Sequence, residues 1–198
     1  SNTEKEPVIT HLYDNNGFCI CGEYEPAIYN EIADVYEIGN AGQLYWFAEK
    51  VNSGEYTING SLVANITVNE AVFNKDGNLI ENTNELREWV PIGSSENAYN
   101  GIFDGNGKVI SGLYADMDNI GLISQVGESG IVRNVGIVAS MIKGSSQVGG
   151  VAGVNNGIIE GCYFSGKVVA TNQSVGGIVG ENNGNVTNCY SLAYVQGT

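Results

Sequence analysis

Val148-Gly-Gly-Val-Ala-Gly-Val-Asn-Asn-Gly157 returns 27 residues later as Val175-Gly-Gly-Ile-Val-Gly-Glu-Asn-Asn-Gly184. The match runs on through Cys162-Tyr163 against Cys189-Tyr190, then Val168 against Val195 and Thr171 against Thr198. Of the 24 positions compared from Val148 and Val175 onward, 11 are identical. A fixed period of roughly 20 to 50 residues marks a chain that stacks similar units, each burying its apolar face against its neighbours. Short apolar runs separated by glycine and asparagine corners predict three short strands per unit, which fits a parallel β-helix. A leucine-rich repeat has a similar period, but its L-x-x-L-x-L framework is missing. The expectation is therefore an all-β, right-handed parallel β-helix, the hand following from the bias in parallel crossovers.

Working backwards, Gly107, Gly130, Gly157 and Gly184 align with spacings of 23, 27 and 27, which predicts coils of about 23–27 residues. Asn155 above Asn182 is expected to form a column at a corner, where Asn tolerates left-handed backbone. Cys162 and Cys189 are expected to form a reduced ladder on neighbouring coils. Expected core residues are Leu62, Ile66, Ile102, Ile110, Leu122, Val135, Val151 and Ile178. Residues 61–68 alternate well enough for one strand, and the polar stretch 74–88 reads as an excursion from the stack.

One helix stands out. Asn40 can cap it and Gln43 can complete a capping box. Leu44, Phe47, Ala48 and Val51 make one apolar face, and Ser53-Gly54 ends it. It is expected to cover the first coil, with Tyr45 and Trp46 widening the cover. Three regions follow: an irregular acidic segment with a C-x-C over 1–38, the capping helix and first coils over 39–98, and the repeats over 99–198. The β-helix proper is expected from about residue 56. Thr198 falls inside a repeat, so the repeats are expected to be truncated and the last coil open, a template for self-association.

The net charge is −14. That excludes a general role on nucleic-acid backbones, which need clustered Lys and Arg, and disfavours anionic membrane surfaces. Residues 1–98 carry 16 acidic and 4 basic side chains, and 99–198 carry 6 and 4, so two kinds of structure meet near residue 99. No run of 18 apolar residues predicts membrane insertion, and the polar start Ser1–Pro7 does not read as a signal peptide.

The repeats resemble the GLUG motif family of bacterial surface proteins, a repeat also found in some immunoglobulin A peptidases. Gly149-Gly150, Gly153, Asn155, Gly157 and Cys162-Tyr163 carry the likeness, as do Gly176-Gly177, Gly180, Asn182, Gly184 and Cys189-Tyr190. The resemblance implies a secreted or wall-attached protein, hence an extracellular or cell-surface location, in which the repeat is non-catalytic. The start is similar to a small module with a C-x-x-C that often precedes such repeats. His11, Gly17-Phe18, Cys19, Cys21-Gly22 and Tyr24-Glu-Pro-Ala27 match it, one residue short between the cysteines.

No catalytic residue, cofactor or metal is assigned. His11 is the one histidine, so no H-E-x-x-H pattern exists, and no repeat supplies a base for a nucleophile. His11, Cys19 and Cys21 come nearest to a metal set, but a structural zinc site wants four ligands. The simpler reading is a surface histidine beside two ordinary thiols. Asp104-Gly-Asn-Gly107 opens like a calcium loop, yet Ala115 stands where a liganding Glu is needed. The acids of the second half build no paired array of the kind glycoside hydrolysis requires. Asp116 and Asp118 read as a turn. What remains is a column of Tyr163 and Tyr190, with Tyr194 nearby, pointing outward as a candidate surface for a host or cell-wall glycan or protein. The expected function is a non-enzymatic adhesion, ligand-display or stalk module. A polysaccharide-acting lyase or glycoside hydrolase is the alternative.

Overall fold

The computed structural model describes residues 10–197, so the polar start over 1–9 and the repeat position Thr198 lie outside the described residues. The chain winds into a β-solenoid of about six turns with one short helix near its start. One sheet stacks six parallel strands along the axis: Val35–Ile38, Gly60–Leu62, Ile102–Asp104, Ile131–Arg133, Ile158–Glu160 and Asn185–Thr187. A second runs from Ile66–Thr67 through Val109–Ser111, Gly136–Gly144 and Tyr163–Ala170 to Tyr190–Ser191. A third stacks Ile123–Val126, Ala152–Asn155 and Val179–Asn182. The repeat read from the sequence is the coil. Val148 pairs with Val175, Ile158 with Asn185 and Tyr163 with Tyr190, each 27 residues apart.

The period-2 rule of a strand explains the interior. Along the first sheet the inward column is Gly60, Phe103, Val132, Ile159 and Val186, and the next residue of each strand faces out. Phe103, Val132 and Ile159 are fully buried. Ile110, Ile137 and Phe164 form the inward column of the second sheet. Each such side chain contributes about 1.5–3 kcal/mol by leaving water. Leu62, Ile66, Ile110, Leu122, Val135 and Val151 are buried as expected. Ile102 is not, because Phe103 takes the inward place. Ile178 is half-buried, packed on the core but with no further described coil over it.

The helix spans Ala41–Asn52. The Asn40 side chain accepts the Gln43 N–H at 2.9 Å, and Gln43 Oε1 accepts the Gly39 N–H at 2.7 Å, one residue ahead of the usual capping box. Leu44, Phe47, Ala48 and Val51 are buried. Phe47 lies over Gly60, where any Cβ would come within 2.8 Å of its ring. Gly60 has no side chain in the inward column, and Phe47 fills the space above Phe103, with ring centroids 6.0 Å apart. The helix thus closes the first turn, as its apolar face requires.

Several boundaries differ from the sequence reading. The parallel stack begins at Val35, not near residue 56, because the helix sits inside the first turn between two strands of one sheet. Residues 28–38 form an antiparallel hairpin rather than irregular chain. Residues 61–68 make two strands around a corner, since Leu62 and Ile66 both point inward from different sheets. The glycine that stacks under Gly130 is Gly101, because Ile102 pairs with Ile131. No 23-residue coil exists there; Gly107 is instead a left-handed corner at φ +71°. The excursion is real: after Thr67 the chain leaves the stack, bridges Phe73 to Leu79, and returns at Trp89.

Candidate ligand surface

The period places identical side chains one above the other. Tyr163 and Tyr190 are stacked with centroids 5.1 Å apart and planes 4° from parallel. Gly136 sits in register below Tyr163, and a Cβ on Gly136 would collide with the Tyr163 ring. The ring therefore lies flat over bare backbone. Between Gly136 and Tyr190 both faces of Tyr163 are taken, so that ring offers its edge. Tyr194 does not join the column. It pairs in register with Lys167, whose Nζ lies 5.8 Å from its ring.

The Asn column is present. Asn155 is fully buried, and its Nδ2 donates to Asn182 Oδ1 at 2.8 Å while its Oδ1 accepts the Gly157 N–H at 3.1 Å. Its backbone is not left-handed. Left-handed corners that stack from coil to coil lie instead at Asn134, Gly161 and Asn188, and at Asn119, Gln147 and Ser174. The expected reason for that column was wrong, since the amide group matters there for its hydrogen bonds.

Cys162 and Cys189 are free and stacked, with the Cys162 N–H directed at the Cys189 sulfur at 3.4 Å. Burial pushes the Cys162 thiol up to about 12. Near neutral pH it is protonated and inert.

His11, Cys19 and Cys21 do come together, with all ligand atoms within 4.8 Å and His11 Nδ1 3.2 Å from the Cys21 sulfur. The two sulfurs, however, are joined as a disulfide, which corrects the reading of them as ordinary thiols. A disulfide supplies no thiolate, so these residues do not fit the metal set weighed for them. Without reductant, the unfolded protein is expected to titrate two thiols per chain with a chromogenic disulfide reagent, and four after reduction. Four thiols before reduction would contradict the bond.

The three aspartates of the second half serve as ties between coils. Asp104 Oδ1 accepts the Asn106 N–H at 2.8 Å, and Oδ2 pairs with Arg133 Nε at 2.7 Å. Burial alone would raise the Asp104 pKa, but the Asn106 N–H and the Arg133 guanidinium outweigh it and hold it below the ordinary value. With both oxygens engaged, Asp104 does not fit the calcium reading. Asp116 pairs with Lys143 at 2.7 Å, and Asp118 accepts both the N–H and the hydroxyl of Ser145 at 2.6 Å.

The helix end contributes what the sequence did not show. Around Asn52 and Val90 two clefts of about 600 and 440 Å³ adjoin, and residues from 46–53, 90–97 and 117–124 line them.

The GLUG motif family model matches residues 144–169 and 171–193. Halomucin of Haloquadratum walsbyi is 40% identical over 93 residues, 45% of this chain. A "Putative Gly-rich membrane protein" of Evansella cellulosilytica is 36% identical over 78 residues, 36% of this chain. The matched stretches span 1% and 9% of those relatives. A crystal structure of a "putative immunoglobulin A1 protease" from Bacteroides ovatus superposes with a TM-score of 0.40 at 18% identity, over 88% of this chain and 80% of that one. Among the described residues no helix is long and apolar enough to cross a membrane. The chain carries two consecutive GLUG repeats, and they form the last two coils of its solenoid.

Proposed function

We propose that this solenoid is a non-enzymatic module of a cell-surface or extracellular protein that displays a ligand surface for adhesion. The observation that carries it is the Tyr163–Tyr190 column, an ordered aromatic stack on the outside of an otherwise acidic molecule. An aromatic face stacks on sugar rings or anchors a protein contact. GLUG repeats, and relatives named as halomucin and a membrane protein, support the surface location. The ties made by Asp104, Asp116 and Asp118 leave those carboxylates poorly placed for paired-acid hydrolysis, which supports the non-enzymatic reading.

A screen against glycans and host or cell-wall proteins, run beside a reducing-sugar release assay, tests this. Binding that weakens in Tyr190→Ala, without release of sugar, is expected. Release of product would establish the polysaccharide-acting alternative instead.

A further inference from the structure

The disulfide between Cys19 and Cys21 spans a single intervening residue and joins no two elements of the fold. The turn that carries it is closed without it. Gly22 N–H donates to the Cys19 carbonyl at 2.9 Å, and Cys19 N–H donates to the Glu23 carbonyl at 3.0 Å. A crosslink restrains the unfolded chain less as its loop shortens, so this bond stands at the low end of what a disulfide contributes to stability. It is also open to solvent, with Cys21 exposed and Cys19 half-buried. Exposed disulfides are the exchangeable ones. Each sulfur has its own polar partner. His11 Nδ1 lies 3.2 Å from Cys21 Sγ, and the Tyr13 ring stacks on the imidazole with centroids 6.0 Å apart. Cys21 N–H donates to Cys19 Sγ at 3.3 Å. One sulfur is placed for attack and the other for leaving.

We propose that this bond is a thiol–disulfide exchange site, which captures the cysteine thiol of a polypeptide as a mixed disulfide on Cys21. A thiol attacks as its thiolate. The incoming thiol gives its proton to His11, because an imidazole takes up protons near neutral pH and this one stands beside the attacked sulfur. The thiolate bonds to Cys21 Sγ as the bond between Cys21 and Cys19 breaks. The electron pair goes to Cys19 Sγ, where the Cys21 N–H already donates. The proton then passes from the imidazole, through water, to the Cys19 thiolate. One thiol and one disulfide give one thiol and one disulfide, so no further oxidant enters. A cleft of about 450 Å³ beside the bond, lined by Leu12, Phe18, Cys19, Ile20 and Arg87, has room for the neighbours of the attacking cysteine. Leu12 and Ile20 stand exposed at its rim, which favours a polypeptide thiol with apolar flanks. The site shares no residue with the tyrosine column and does not depend on the adhesion reading.

The oxidised protein is mixed, without air, with a short peptide carrying one cysteine between leucines, or with glutathione. The reaction is quenched with iodoacetamide and mapped by mass spectrometry. Cys162 and Cys189 are free thiols and form no mixed disulfide with an added thiol, so any adduct arises at Cys19 or Cys21. An adduct on Cys21 with Cys19 alkylated is expected, forming faster with the peptide than with glutathione. His11→Ala is expected to slow it about tenfold or more. Reduction of the bond is expected to lower the thermal midpoint by no more than about 5 °C, since the bond holds no elements together. No adduct, an adduct on Cys19, or an unchanged rate in His11→Ala would each overturn the proposal. Unfolding of the solenoid on reduction would make the bond a structural staple and overturn it too. Faster reaction with glutathione would overturn the polypeptide as partner.

Discussion

Trp89→Ala is expected to destabilise the protein by about 3–5 kcal/mol, the usual cost of emptying a large aromatic site. Trp89 is fully buried where the chain re-enters the stack after its excursion. Its indole N–H donates to the Gly121 carbonyl at 3.1 Å, and Tyr45 packs edge-on at 5.0 Å. Tyr45 in turn donates its hydroxyl to the Glu88 carbonyl at 2.7 Å. Helix, excursion and solenoid therefore meet at one side chain. Because a solenoid is stabilised by nearest-neighbour contacts, the loss should fall on the N-terminal turns first. Urea denaturation measures the size, and amide exchange locates it. A loss under about 1 kcal/mol would mean the site collapses around the gap and that Trp89 does not join these elements.

Gly157→Ala is expected to cost about 1–3 kcal/mol by crowding, with no backbone penalty, since its φ is not left-handed. A Cβ there would collide with the Gly130 and Gly127 carbonyl oxygens, which are backbone and can yield only if the coils part. Gly184 stands over the Gly157 carbonyl in the same way. Gly107→Ala makes the contrast. Nothing lies within 4 Å of its added Cβ, so only the left-handed conformation is penalised. The two variants separate by rescue: Gly107→Asn should recover stability, whereas Gly157→Asn should be worse than Gly157→Ala. Thermal or urea unfolding checks this, and equal behaviour of the two positions would remove the crowding argument.

The repeat was legible because stacking demands the same residue at the same place in each coil. Gly149, Gly157 and Cys162 recur for that reason, and the observed register is the one their spacing gives. The helix was legible from its cap and apolar face. The inward choice of Phe103 over Ile102 was not, because a three-residue strand is too short to show alternation. The start of the stack at Val35 was hidden because the helix interrupts the first turn and no repeat marks it. The tyrosine column was read correctly as a stack, but the role of Gly136 in covering one face of Tyr163 needed the register. The cleft was invisible. Its walls come from residues near 46, 90 and 117, which no local pattern connects.

Successive coils stack in parallel, and amide and Hα nuclear Overhauser contacts on the isotope-labelled protein report that stacking residue by residue. A ladder is expected joining Ile131 to Ile158 and Ile158 to Asn185, rising in the same direction on both sides. A ladder running in opposite directions, with residues near 148 against those near 198 and 170 against 175, would contradict it.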